Sequence, residues 1–201
     1  MTIEEQLNNI DWNNHKQVID FYESNLIYFE NYQLINDEEK ISDVIDIKLN
    51  YANSLFEKSH YEKTLKVIEQ VDELLNKLTS EHWNFEDSER YARFLKGMVY
   101  GNTKRFKESY LIFKELIKED PDHHYYLNWY NYSKLGLYNW IFNGITMIGI
   151  VFLVIDLLFP YAKHLPYDLG IIGIIIMLIS YLSQQGLKKY FKRKKTATNS
   201  T

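Results

Sequence analysis

Cysteine is absent from the 201 residues, which removes disulfide frameworks, thiolate metal sites and thiol redox chemistry together. Proline occurs three times and glycine eight times, and the glycines never gather into a phosphate-cradling loop. There is no Gly-x-Ser-x-Gly, no His-Glu-x-x-His and no Asp/Asn-rich calcium loop, so the chain is read as a non-enzyme that needs no cofactor. His123 and His124 are adjacent, point about 100° apart on a helix, and cannot chelate one ion together. His60 beside Glu57 and Glu62, and His82 beside Glu81, are lone histidines next to carboxylates, and no metal is expected there either. Sustained apolar/polar alternation is missing, which excludes strands as the organising element. The opening stretch MTIEEQLNNIDWNNHK carries acidic groups and no apolar core of a secretory signal, so the N-terminal region is expected to stay in the cytosol.

Two long apolar runs are present instead. Asn139 to Phe159 reads NWIFNGITMIGIVFLVIDLLF, and after YAKHLPYD a second run, LGIIGIIIMLISYLS, extends from Leu169 to Ser183. At 1.5 Å per helical residue the first spans roughly 32 Å, and the second, continued through Gln184, Gln185 and Leu187, about 28 Å, against a hydrocarbon thickness of about 30 Å. Backbone polar groups in hydrocarbon must be satisfied within the segment, so the expectation is a helical hairpin over 137–187, with spans at about 138–159 and 168–187. Gly144, Gly149, Gly170 and Gly173 offer places of close approach, although no Gly-x-x-x-Gly occurs within the two runs. Among the polar residues of the runs, Asn143 and Asp156 are the candidates for a role inside the membrane. Asn143 faces headgroups or a neighbouring helix. Asp156, three residues from Phe159, is read first as interfacial, with Lys163 or His164 as partner, and second as a protonatable site in a helix assembly.

The flanks give the orientation. Lys188, Lys189, Lys192, Arg193, Lys194 and Lys195 place six cations within eight residues after the second run, whereas the loop has Lys163 and His164. Positive flanks remain cytoplasmic and attract anionic lipid headgroups. Both termini are therefore expected in the cytosol, with 188–201 a basic tail, and a bacterial inner membrane is the expected location. Tyr138, Trp140, Tyr161, Tyr167 and Tyr190 mark the headgroup levels.

Residues 1–134 differ sharply from that end. They hold 25 Asp and Glu against 16 Lys and Arg, a net charge of −9, which repels nucleic acid and favours a protein or peptide partner with a basic segment. Residues 1–14 are polar and expected to be flexible. Val18, Ile19, Tyr22, Leu26 and Phe29 recur at helical spacing from His15 to about Leu34, behind Asn14 as N-cap. Asp37 caps a second stripe to about Lys58, through Ile41, Val44, Ile45, Leu49, Ala52, Leu55 and Phe56. A third follows a tight turn at Ser59 and His60 and runs to about Leu78. Further helices are predicted from Ser88 to about Asn102 and from Arg105 to Glu119, stopped by Pro121, with a polar connection at 81–87.

In LKGMVYGNTKRFKESYLIFKELIKEDP, Gly97, Tyr100, Phe106, Ser109, Phe113, Leu116 and Pro121 fall at spacings that resemble a tetratricopeptide repeat. An earlier copy, LNYANSLFEKSHYEKTLKVIEQV, places Ala52, Leu55, Tyr61, Thr64, Ile68 and Val71 correspondingly, 45 residues before, where the family period is 34. Thr64 and Ser109 stand where alanine is usual, and the early tryptophan is missing. The resemblance implies an all-α fold: a stack of antiparallel helix pairs over 15–136, capped by the His15 helix and the aromatic segment DHHYYLNWYNYSKL. It further implies that the first helix of each pair lines a concave binding face, here Leu49, Asn53, Phe56, Tyr91, Phe94, Met98 and Asn102. These positions equally suit core packing at helical spacing.

Taken together, the sequence predicts a membrane-anchored adaptor or scaffold that holds a protein partner at the cytosolic membrane face. The alternative is a pore-forming or structural subunit of a membrane complex, in which the hairpin makes homo-oligomers.

Overall fold

The computed structural model describes residues 3–30, 37–79, 81–158 and 169–198. Among them every regular element is an α-helix: α1 (Ile3–Leu7), α2 (His15–Ser24), α3 (Leu26–Glu30), α4 (Glu38–Glu57), α5 (Tyr61–Leu75), α6 (Phe85–Asn102), α7 (Phe106–Glu119), α8 (His124–Leu158) and α9 (Leu169–Thr198). The protein is all-α. It divides into two compact units, Met1–Trp129 and Tyr130–Thr201, so the boundary falls inside α8, seven residues before the predicted 136/137.

In the first unit, α4 pairs with α5 and α6 with α7, α2 packs on α4, and α6 touches both α4 and α5. The apolar stripes meet in a core of Ile45, Ala52, Leu55, Ile68, Val71, Leu74, Leu95, Phe113 and Leu116, all essentially without exposure. Both predicted N-caps act as such: the side chains of Asn14 and Asp37 accept from the Gln17 and Glu39 amides, satisfying donors that a helix start otherwise leaves open.

The two helix pairs are joined by the same turn. His60 N–H donates to the Leu55 carbonyl and Ser59 N–H to Phe56, while 45 residues on Arg105 N–H donates to Tyr100 and Lys104 N–H to Gly101. This is a Schellman ending, and its left-handed residue is Ser59 (φ 62°) in one copy and Lys104 (φ 63°) in the other. The buried hydroxyls that follow, Thr64 and Ser109, donate to the carbonyls of His60 and Gly97. Gly97 is required where α6 crosses α7, because a Cβ there would lie 2.8 Å from the Phe113 ring.

Several boundaries differ from the sequence expectation. The single helix from His15 to Leu34 is instead α2 and α3, divided at Asn25; Leu34 lies outside the described residues. The Asn25 side chain donates to the Phe21 carbonyl, as does its own amide, a local bond that competes with helix continuation. α6 begins at Phe85 rather than Ser88, with Glu86 and Asp87 in its first turn, where acidic groups complement the helix dipole. α5 ends at Leu75, three residues early. In the polar stretch 1–14 the structure places α1 and a turn in which Asn13 N–H donates to Asp11.

The second unit is an antiparallel hairpin of α8 and α9. α9 continues as helix through the basic tail to Thr198, so the expected division at 187/188 is one of composition and not of backbone.

Candidate functional site

The seven residues expected on a concave face separate by depth. Leu49 and Met98 are buried in the core, because their positions on the stripes of α4 and α6 are covered by neighbouring helices. Asn53, Phe56 and Phe94 are half-buried, and Tyr91 and Asn102 are exposed. The structure brings Tyr91 and Phe94 together, ring centroids 6.3 Å apart. Phe94 in turn meets Phe113 edge-on at 6.0 Å and Tyr126 at 5.5 Å. Burial, and then the charge of Glu57, push the Tyr91 phenol up, so it remains a neutral donor at the end of an aromatic run. Such a surface can bury an apolar side chain and hydrogen-bond beside it.

Tyr126 and His123, stacked at 3.7 Å, extend this run and were not among the expected site residues. Near them Arg93 holds Glu119 through paired bonds of 2.7 and 2.8 Å. The Glu119 carboxyl is held below its usual value, chiefly by those bonds.

Sequence reasoning also missed Lys48. Its ammonium is fully buried, donating to the Tyr22 hydroxyl at 2.7 Å and the Gln70 carbonyl oxygen at 2.8 Å, with Glu30 at 3.8 Å. Tyr22 is itself stacked between Tyr51 (3.9 Å) and Phe29 (4.9 Å). The signal was available: Lys48 stands three residues from Ile45 and seven from Ile41, on the apolar stripe of α4. Among the described residues no three His, Asp or Glu side chains are placed to hold a metal ion.

In the hairpin, polar groups and glycines form a seam between the helices. Gln184 donates to Asn143 at 3.1 Å, the Thr146 and Ser180 hydroxyls are 2.9 Å apart, and Ser180 also donates to the Phe142 carbonyl. Further along, a Cβ at Gly149 would lie 2.8 Å from the Gly173 carbonyl, and one at Gly173 would lie 2.6 Å from the Gly149 carbonyl. Close backbone approach and hydroxyl bonds are how helices associate where apolar burial offers no advantage over lipid. Asn143 therefore meets the neighbouring helix. Asp156 is exposed on α8; the loop residues Lys163 and His164 lie outside the described residues. Outward of the seam stand Met147, Ile148 and Val151 on α8 and Ile174, Leu178 and Leu182 on α9, all exposed. Both helices are long and apolar enough to cross a membrane. Lys189 is exposed, and the side chains of Lys188, Lys192, Arg193, Lys194 and Lys195 lie outside the described residues.

Comparison of the chain with protein-family models, with curated proteins and with solved structures finds no match.

Proposed function

We propose that this protein is a membrane-anchored adaptor: a cytosolic, acidic helical domain that holds a basic protein or peptide segment beside the membrane, carried on a two-span hairpin with both termini inside. The observation that carries the reading is the opposite construction of the two units. The first closes an apolar core beneath an acidic surface, and the second turns the Thr146 and Ser180 hydroxyls inward and its aliphatic side chains outward, which water disfavours and lipid accepts. The equivalent Schellman turns 45 residues apart, and the contact of α6 with both helices of the preceding pair, support a tetratricopeptide-like stack, in which the face bearing Tyr91 and Phe94 receives the partner.

The pairing of Asn143 with Gln184 and of Thr146 with Ser180 supports an anchor over a pore, since these groups bond to one another within one hairpin. Affinity purification of the full-length protein in mild detergent tests the reading. A partner with a Lys/Arg-rich segment, retained by wild type and released by Tyr91→Ser without loss of thermal stability, is the expected result. Liposome permeabilisation by the purified protein, with no retained partner, would contradict it.

A further inference from the structure

The one-turn helix α3 is divided by side. Phe29 is fully buried, stacked on Tyr22 at 4.9 Å and edge-on to Phe21 at 5.7 Å. Ile27 and Tyr28 turn away from that side and are 80 and 55% exposed. A single turn does not hold its shape alone; this one is fixed from beneath. Glu30 at its end accepts from the Gln70 side chain at 3.2 Å and faces the buried Lys48 ammonium at 3.8 Å, and Lys48 donates to the same Gln70. The result is two neighbouring apolar side chains, Ile27 and Tyr28, presented to water by a turn that is anchored from beneath. Anchors of this kind lose little conformational entropy on binding.

The surroundings specify a charge. From Gln17 to Glu39 the chain carries Asp20, Glu23, Glu30, Asp37, Glu38 and Glu39 and no lysine or arginine. Glu23 and Glu30, which flank the exposed residues in sequence, keep 47 and 43% of their side-chain surface in solvent while pairing with Lys63 and Lys48 respectively.

We propose that the outward face of α3 is a docking site for a Lys/Arg-rich amphipathic segment of a partner protein, with Ile27 and Tyr28 inserted into the segment's apolar side and Glu23 and Glu30 meeting its cations. The proposal rests on the adaptor reading and adds a second contact, on α3, to the face of Tyr91 and Phe94. Charge sets the encounter rate and the apolar anchors set the lifetime.

The test uses full-length protein in zwitterionic nanodiscs and a fluorescein-labelled helical peptide of eighteen residues, lysine on one face and leucine and tryptophan on the other, with a glutamate-for-lysine counterpart. Anisotropy should show binding of the lysine peptide, weakened by salt, and none of the glutamate peptide. Ile27→Ser/Tyr28→Ser should weaken it at least tenfold at unchanged melting temperature, Trp83→Ser, at an exposed site on the connection between α5 and α6, should leave it unchanged, and Ile27→Lys should weaken it as well. Wild-type affinity in both α3 variants overturns the proposal; if Tyr91→Ser then loses binding, the adaptor reading survives with the other face as its site. Equal binding of both peptides, or none of the lysine peptide by wild type, overturns the proposal and the adaptor's basic partner together.

Discussion

Lys48 is the residue on which α2 to α5 converge. Its ammonium is held below the ordinary value of 10.5, first by burial, with the charge of Glu30 working against the shift. The folded protein therefore binds this proton less tightly than the unfolded chain, and stability should rise as pH climbs from the depressed value towards 10.5. Tyr51 acts with the opposite sign: burial, and then Glu23, push its phenol above the ordinary 10.0, so stability is lost as pH rises past 10. Urea midpoints between pH 8 and 11 should accordingly rise and then fall; Lys48→Met should flatten the rise, and Tyr51→Phe should remove part of the fall. Lys48→Ala should cost about 2 to 5 kcal/mol through the cavity and the stranded phenol and amide, and Lys48→Met less, because it keeps the volume. In acid the Glu119 carboxylate, kept ionised by Arg93, contributes stability that is lost as pH falls through its lowered value. Arg93→Met should remove that contribution, lowering stability at neutral pH and flattening its loss in acid. Gly97→Ala, forcing a Cβ against a Phe113 ring already stacked on Trp129, should cost about 1 to 3 kcal/mol.

The elements show two repeated devices. Ser59 and Lys104 occupy left-handed conformations that glycine adopts without strain, so Ser59→Gly and Lys104→Gly should each raise the melting midpoint, by an amount equivalent to at most about 1 kcal/mol after the added freedom of the unfolded chain is subtracted. Destabilisation by both would show that the turns are held by their side chains. In the hairpin, Gly173→Leu drives a side chain into the backbone of α8 and should separate the helices. With no native cysteine to interfere, disulfide formation between cysteines placed at 143 and 184 reports this directly: efficient in the wild-type background, lost with Gly173→Leu. The helices of both units were legible because their apolar spacing and caps are local signals. The break at Asn25 was not, because Leu26 and Phe29 continue the stripe of α2 in sequence and only the competing side-chain bond to Phe21 ends it. Depth on the Tyr91 face was illegible for a related reason: Leu49 and Met98 read as any stripe position, and which stripe residues are covered depends on partners far away in sequence. The seam at Gly149 and Gly173 joins glycines on different helices, a pairing that no spacing within one helix reveals.

For the whole molecule, the acidic unit and the apolar hairpin make opposite demands on solvent, and the proposed function assigns each to a side. The central claim is that two spans hold the helical domain at the cytosolic face. Single cysteines at Trp83, which is 79% exposed, at Tyr167 in the loop and at Ser200 in the tail test it in intact cells, with an impermeant thiol reagent and carbonate extraction of the membranes. The account predicts that the protein stays with the membrane after carbonate, that the cysteine at 167 is labelled, and that those at 83 and 200 react only after lysis. Release by carbonate, or labelling at 83 and 200 with protection at 167, would contradict it.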